Sequence, residues 1–574
     1  MANPTQQRSS PAEKAPFIRR FFSRPSRVGW LIFLLLLGVY QINGDILVGN
    51  DAVPSTYLAA GLLEGRGMTF NPNDAPSMFV WTASTRQGPV QLQFKNWDQR
   101  PVDDPNAPTY RELRRLGALT SAQHRYYLVP SVRRDANGQP LYVNTFGPGA
   151  AATALPVFAV LKLFVEKLTG NVVAMWYGAK FTASALVAGS AAFIFLTACA
   201  YTGIGRSALI ALAYGLGTCV WSISSQTLWQ HGPNEFFLAL GTLCLSRIFR
   251  PRTAEPAVCD GGRVEGVLGR WRWTIGCGLA YSAAVACRPT SLIVVAAVGA
   301  YLLIVNRRAL LVYALACLPV AVALAAYNTY YLGAPQNFGQ ASAGAIVAMQ
   351  KTGSGELWQT PLWLGAAGLL VSPSRGLLVF SPFVALAAVG IVQCWRRKEY
   401  AFLRPLVVAL AALLVIAFKW FDWWGGWSFG YRPIVDAMPI FAVLLIPATD
   451  WVFRRRAVLI VVAVLVGWSV LVQVLGGWGY SMTIWNNRRV GYTATVEGKS
   501  SPVTVATLEE LERLAQREKV TAASEVTLDI DQPAHRGRLW SITDSQIGYL
   551  LSHFGQSRER KQQEMDSCLH GSGG

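Results

Sequence analysis

Charge is scarce in this chain: only 14% of its residues are Asp, Glu, Lys or Arg, against 52% hydrophobic, a balance that excludes a domain solvated on every side. Cysteine is missing from the first 198 residues, so whatever folds there folds without disulfides. No CxxC or Cys/His pair in the sequence suggests a metal site, and nothing in it requires a metal. No internal repeat of the kind expected for an inverted-repeat transporter is found. Basic residues outnumber acidic ones, giving a net charge of +19, yet they recur in short clusters between apolar runs. Membrane topology explains that excess better than nucleic-acid binding does.

Apolar windows long enough to cross a hydrocarbon core of roughly 30 Å are plentiful. Alternating them with the basic clusters predicts an all-α polytopic membrane protein of about eleven transmembrane helices. The start, "MANPTQQRSSPAEKAPFIRRFFSRPSRVGW", carries six basic residues and no small-residue cleavage site. It reads as a retained cytoplasmic segment over 1–28, followed by a first span running inside to outside. Residues 29–475 then form a transmembrane domain of a cell inner (plasma) membrane, including an outer loop over 44–176 that carries amphipathic interfacial helices. That loop is far longer than an ordinary connection, which points to function. It ends in "YVNTFGPGAAATALPVFAVLKLFVEKLTG", where Gly147, Pro148, Gly149 and Pro156 predict an interfacial or re-entrant helix. The basic stretch "SRIFRPRTAEPAVCDGGRVEGVLGRWRW" is expected inside. An odd span count places 476–574 outside as an extracytoplasmic tail. In it "TLEELERLAQREK" predicts a surface helix, and "GQSRERKQQEMDSCLHGSGG" reads as disordered.

On this topology the conspicuous polar groups gather at the outer face: Asp45, Asp51, His231, Glu235, Arg288, Arg375, Lys419, Asp422, Arg432 and Asp436. Charges beside apolar segments are costly unless paired or used. Asp51 stands just before a predicted helix that Pro54 opens and Gly65 or Gly67 closes, with Leu58, Leu62 and Leu63 forming one apolar face toward the bilayer. Two readings of Asp51 stand: an N-terminal cap, or a general base that takes a proton from a hydroxyl. His231, in "LWQHGPNE", is an interfacial hydrogen-bonding residue or a substrate contact. Asp422 and Asp436 read as partners of neighbouring cations.

A first span followed at once by an Asp and then "P..Y...a.LL..G" resembles the start of the GT-C glycosyltransferases, which include the protein O-mannosyltransferases and the lipid A aminoarabinose transferases. Further similarities are "NTFGPGAAATALPVF", "LWQHGPNEFFLALGTLCL", "SPSRGLLVFSPF" and "WWGGWSFGYRPIVDAMP". Together they cover most of 29–475, and their order and common sidedness carry the resemblance. It implies transfer of a sugar, with inversion, from a polyprenyl-phosphate donor to an acceptor hydroxyl on a glycan, lipid or protein. It also implies an acidic residue of the first outer loop as base: Asp51 by position, Asp45 second. The family's common "DE" pair is here "NDA", which leaves its second acid unassigned. Arg, with its fixed fork of donors, suits the departing phosphate. The order is Arg432 in "GYRP", Arg375 in "SPSRG", Lys419, and Arg288 in "CRPT", with His231, Glu235 and Tyr57 as substrate contacts. The competing reading makes Arg432 and Lys419 snorkelling residues in an aromatic belt with Trp420, Trp423, Trp424 and Trp427. No cofactor is required by the sequence, although a divalent cation assists some relatives.

Two other classes compete. A lipid-linked oligosaccharide polymerase or ligase would lack the acid and helix directly after the first span. A transporter or flippase predicts polar residues at several depths, whereas these spans are nearly uncharged.

Overall fold

In a computed structural model of the chain, Pro25 opens the first helix (α1, Pro25–Gln41) at a position where a helix does not need its missing N–H. The structure describes residues 24–570 apart from 48, 73–74, 76–77, 86–87, 94–109, 125–126, 250–266 and 500. Most of the basic start, the loop tip "KNWDQRPVDDPNAPT" and most of the basic inner loop therefore lie outside the described residues.

The long first loop is not purely helical. Helix α2 (Val53–Leu63) buries Leu58, Ala59 and Ala60, and its Leu62 and Leu63 pack against a second core that contains Met78, Trp81 and Tyr127. The face expected to lie on the bilayer is thus turned toward protein, because the loop folds back over it. Gly65 and Gly67, both at φ +75°, close the helix as expected. Strand β1 (Phe79–Thr85) pairs antiparallel with β2 (Gly88–Gln93) on one side and β3 (Leu119–His124) on the other. A second antiparallel pair joins β4 (Leu128–Arg134) to β5 (Pro140–Asn144). Helix α3 (Gly149–Lys162) follows, at 14 residues well short of the ~20 that a span needs. A Cβ at Gly149 would lie 2.2 Å from the Ala286 carbonyl oxygen, so only glycine lets α3 start against its neighbour.

The remaining helices are separated by polar caps and Gly/Pro breaks. Asn171 accepts from the Ala174 N–H at 2.9 Å and starts α4 (Val172–Ala198). Then come α5 (Ile204–Gly217), α6 (His231–Ile248), α7 (Val267–Cys287), α8 (Leu292–Val305) and α9 (Arg307–Leu332). Asn306 caps α9 through the Ala309 N–H at 3.1 Å, and Gly333 at φ +86° ends it. Further on lie α10 (Gly339–Thr352), α11 (Leu362–Val371), α12 (Ala387–Arg396), α13 (Arg404–Lys419), α14 (Met438–Leu444) and α15 (Arg456–Val474).

Among the described residues, five stretches are long and apolar enough to cross a membrane: Val172–Ala198, Arg307–Leu332, Lys398–Lys419, Arg432–Arg454 and Arg456–Gly479. Other segments expected as spans, α1 and α5 among them, are apolar but shorter. The most apolar window of Arg432–Arg454 is 83% buried, against 22% for Arg456–Gly479 and 28% for Arg307–Leu332. The first therefore sits at the centre of the bundle. The other two turn apolar faces outward, as Leu311, Leu315, Leu318 and Val322 do along α9.

The tail also departs from an all-α reading. Strand β6 (Asn487–Val496) pairs antiparallel with β7 (Val503–Val505) and β8 (Val520–Asp529), and α16 (Leu508–Arg517) packs between them in sequence. Thr507 and Glu510 form a reciprocal capping box at the start of α16, the device that fixes a surface helix of this kind. Helix α17 (Gln546–Ser552) and helix α18 (Phe554–His570) follow. The segment expected to be disordered is α18 itself, apart from residues 571–574, which lie outside the described residues. It folds because Ser557, Lys561, Met565 and Leu569 form one buried stripe at helical spacing, a pattern disguised by the polar residues in it.

That stripe docks on the segment leading to Asp51. The Lys561 ammonium pairs with Asp45 at 3.2 Å and donates to the Gly477 carbonyl at 2.6 Å. The Ile46 N–H meets Met565 Sδ at 3.4 Å. Lys180 donates to Asn43 Oδ1 at 2.5 Å and to the Asp45 carbonyl. Burial pushes the Lys561 amine below its ordinary value, with Asp45 offsetting part of the effect. Removing one member of a buried pair strands the other charge, at a cost of about 3–5 kcal/mol. Asp45→Asn should therefore lower the thermal unfolding temperature of the detergent-purified protein, and Asp45→Asn combined with Lys561→Met should recover most of the loss. An unchanged midpoint in Asp45→Asn would refute this anchoring.

Candidate functional site

Four separated segments converge at one end of the bundle. Asp51 lies in the 3-10 turn Asn50–Ala52 ahead of α2, whose N-cap is Ala52 with no side-chain cap. Its carboxylate accepts from Arg432 Nη2 instead. Arg432 opens the 3-10 turn Arg432–Ala437, which leads into α14. Its Nε–H donates to His231 Nε2 at 3.4 Å. His231 begins α6, and its Nδ1 lies 3.1 Å from Asp436 Oδ1. Asn234 Nδ2 donates to the same oxygen at 3.0 Å, and Ser291 Oγ donates to Asn234 Oδ1 at 2.6 Å. Asp436 Oδ2 pairs with Arg288 Nε, at the end of α7.

The result is an alternating chain, Asp51–Arg432–His231–Asp436–Arg288. Because Nε2 of His231 accepts from an arginine that has only N–H donors, Nδ1 carries the proton and donates to Asp436. His231 is therefore a neutral imidazole held in one tautomer. Exposure is graded along the chain: the His231 and Asp436 side chains are 2% and 9% exposed, whereas Arg288, Arg432 and Asp51 are 13%, 14% and 20% exposed. The centre is a rigid support, and the two ends are accessible to a ligand.

Trp229 forms the floor. Its ring lies 4.3 Å from the Arg432 guanidinium carbon, a cation–π contact that fixes the plane of the fork. Gly49 presses against the indole edge, where a Cβ would lie 2.5 Å from Nε1. Beside Arg288, the Asn144–Gly147 segment, the end of α7, the end of α9 and the start of α10 enclose an apolar cleft. Ala286, Pro289, Tyr327 and Phe338 line it, and the buried Tyr327 hydroxyl has no hydrogen-bond partner among the described residues. Among the described residues, the two terminal nitrogens of Arg288 hydrogen-bond no protein group.

Of the residues singled out from sequence, Asp51, Arg432, His231 and Arg288 come together here. Asp45 does not: it is buried with Lys561 and Lys180. Arg375 is also elsewhere, with its guanidinium wholly committed. It donates to the carbonyls of Trp424 (2.8 Å), Ser374 (2.8 Å) and Gly426 (3.3 Å), and to Gln546 Oε1 (2.9 Å) and Asn486 Oδ1 (2.7 Å). Its ring of donors is filled, leaving none for a phosphate. Lys419, half-buried at the end of α13, makes no ion pair among the described residues. Glu235, one turn after His231, is fully buried, with Oε1 accepting from Ser224 Oγ at 2.6 Å and Oε2 without a partner among the described residues. Tyr57 packs on the core of the first loop.

Asp436 and Asp422 do pair with cations, but not with sequence neighbours as expected: Asp436 meets Arg288, and Asp422 meets Lys351 at 2.8 Å. Burial opposes the Lys351 charge, but Asp422 and Asp531 outweigh it and hold the ammonium above its ordinary range. Among the described residues no group of three or more His, Cys, Asp or Glu is placed to hold a metal ion. Sequence reasoning passed over Trp229 and Asn234 and gave Asp436 only a pairing role. A usable signal was present, since His231, Asn234 and Glu235 stand at i, i+3 and i+4 and share one helix face.

Gly49→Ala tests the floor. Overpacking of this kind costs about 1–3 kcal/mol, so the variant should unfold at lower temperature, and unchanged thermal unfolding would show that Trp229 yields freely. The chain matches no protein-family model and no curated protein.

Proposed function

We propose that this chain is an integral membrane glycosyltransferase of the GT-C type, with about eleven spans by the positive-inside rule and its site at the outer face. It transfers a sugar from a polyprenyl-phosphate donor to an acceptor hydroxyl. The observation that carries this reading is the pairing of Asp51 with Arg432 at the accessible end of a buried, charge-balanced support, beside an apolar cleft that opens next to Arg288.

Each part has a place in such a reaction. The apolar cleft marks the side from which an apolar chain would approach, and the two terminal nitrogens of Arg288, which hydrogen-bond no group among the described residues, are left to meet a phosphate there. Arg432, held flat on Trp229, presents a second fork to the same group. The acceptor oxygen attacks the anomeric carbon from the side opposite the phosphate, and the bond from that carbon to the phosphate oxygen breaks. The electron pair leaves with the phosphate, where the two guanidinium groups stabilise it, and the acceptor proton passes to Asp51. Attack from the opposite side inverts the anomeric centre. Asp45, enclosed by Lys561 and Lys180, is too buried to meet an acceptor and takes no part.

The test is sugar transfer in proteoliposomes from a panel of radiolabelled polyprenyl-phosphate sugars, with a membrane extract supplying acceptor. Asp51→Asn should lose roughly 10²–10⁴-fold in transfer rate while still binding the donor. Transfer at the wild-type rate would remove Asp51 as base.

A further inference from the structure

The resting contacts of Arg432 oppose the role just given to it. Its Nη2 is engaged by Asp51 and its Nε by His231, so two of its three nitrogens already serve protein acceptors. The same contacts silence both proton acceptors of the site. The Asp51 carboxylate accepts from Arg432 Nη2, and the His231 Nε2 lone pair accepts from Arg432 Nε, so each acceptor already has a donor on it.

Resting on the glycosyltransferase reading, we propose that Arg432 is a gate operated by the donor: the lipid phosphate draws the guanidinium away from Asp51 and His231, and only then are the two bases uncovered. The exchange involves hydrogen bonds alone, and no covalent bond changes. It substitutes one oxyanion for another, since phosphate offers the guanidinium fork the same paired acceptors as a carboxylate.

Three features of the surroundings permit the exchange. Trp229 lies beneath the guanidinium at 4.3 Å, so Arg432 is retained by the ring when it releases Asp51. Asp436 does not depend on Arg432, being held by Arg288, His231 and Asn234, so no buried carboxylate is orphaned. Asp51 is 20% exposed, which lets the freed carboxylate meet an acceptor hydroxyl. His231 meanwhile keeps its Nδ1 contact to Asp436, and its uncovered Nε2 faces the site as a second proton acceptor. A base available only beside a bound phosphate limits futile hydrolysis, because water is not activated before the donor is seated.

The gate makes an unusual prediction for a catalytic carboxylate: removing its charge strengthens ligand binding. The probe is polyprenyl monophosphate, which lacks the sugar, titrated into nanodisc-embedded wild type, Asp51→Asn, Arg432→Gln and the double variant, each first checked for folding by thermal unfolding. Asp51→Asn should bind roughly tenfold more tightly than wild type, and Arg432→Gln at least about tenfold more weakly. The double variant should match Arg432→Gln, because a competitor matters only while the group it competes for is present. An equal gain from Asp51→Asn in both backgrounds would reduce the effect to charge repulsion and overturn the gate. No gain in either background, or unchanged affinity in Arg432→Gln, would overturn it as well. If Arg432→Gln does not fold, Arg432→Lys replaces it, keeping the charge without the fork, and the gain from Asp51→Asn should shrink. Wild-type protein that binds polyprenyl phosphate no better than phosphate-free polyprenol would instead dismiss the glycosyltransferase reading, and the gate with it.

Discussion

A carboxylate placed where Asp436 lies, 9% exposed among apolar helices, has to be surrounded by donors or it destabilises the fold by several kcal/mol. Its donors come from different parts of the chain: His231 and Asn234 from the start of α6, and Arg288 from the end of α7. Meeting that one requirement brings three helix ends to a common point. Arg432 stands four residues before Asp436, one turn away, so the same requirement also delivers its guanidinium to His231 and to the first loop. The accessible end of the chain of contacts is thus a consequence of satisfying its buried centre.

A second buried charge binds the tail to the bundle. Arg375 joins two turns of the helical part, through the Trp424 and Gly426 carbonyls, to Gln546 and Asn486 of the tail. Its acceptors are all neutral dipoles, and the Trp485 ring lies 5.4 Å from its guanidinium carbon. A few residues away Lys351 bridges Asp422 and Asp531, at 2.8 and 2.9 Å, linking α10, the Trp-rich turn and the tail. With α18 docked at Asp45, these contacts make the last hundred residues part of the same body that carries the site.

The sequence made readable that Asp51, His231, Arg288 and Arg432 belong together, but not which other charges stand apart from them. Asp51 and Arg432 stood out because each is a charge beside an apolar run, and the cost of such a charge is local information. Arg375 stood out for the same reason, in an equally Gly- and Pro-rich turn. What separates the two arginines is the acceptors that reach Arg375 from 111 and 171 residues away, and no local pattern encodes those. The strands of the first loop were missed because "FVWTAST" and "GPVQLQ" alternate within a segment whose overall polarity reads as loop. Helix α18 was missed because its buried stripe includes Ser557 and Lys561, which hydropathy counts as surface residues.

Asp45 and Asp51 show how little separates a closed ion pair from an accessible one. Both are acids of the same short segment, and both meet a cation. Asp45 is 5% exposed, its partner Lys561 is equally buried, and a second lysine holds its backbone carbonyl, so its pairing holds the loop in place. Asp51 is four times as exposed, at 20%, and its partner rests on the Trp229 ring. An ion pair that water can reach is weakly held compared with one that water cannot, so the second pair can open while the first stays shut. Because Asp45 is fixed through α18, the segment that carries Asp51 has a firm base from which one carboxylate can change partners without the loop moving.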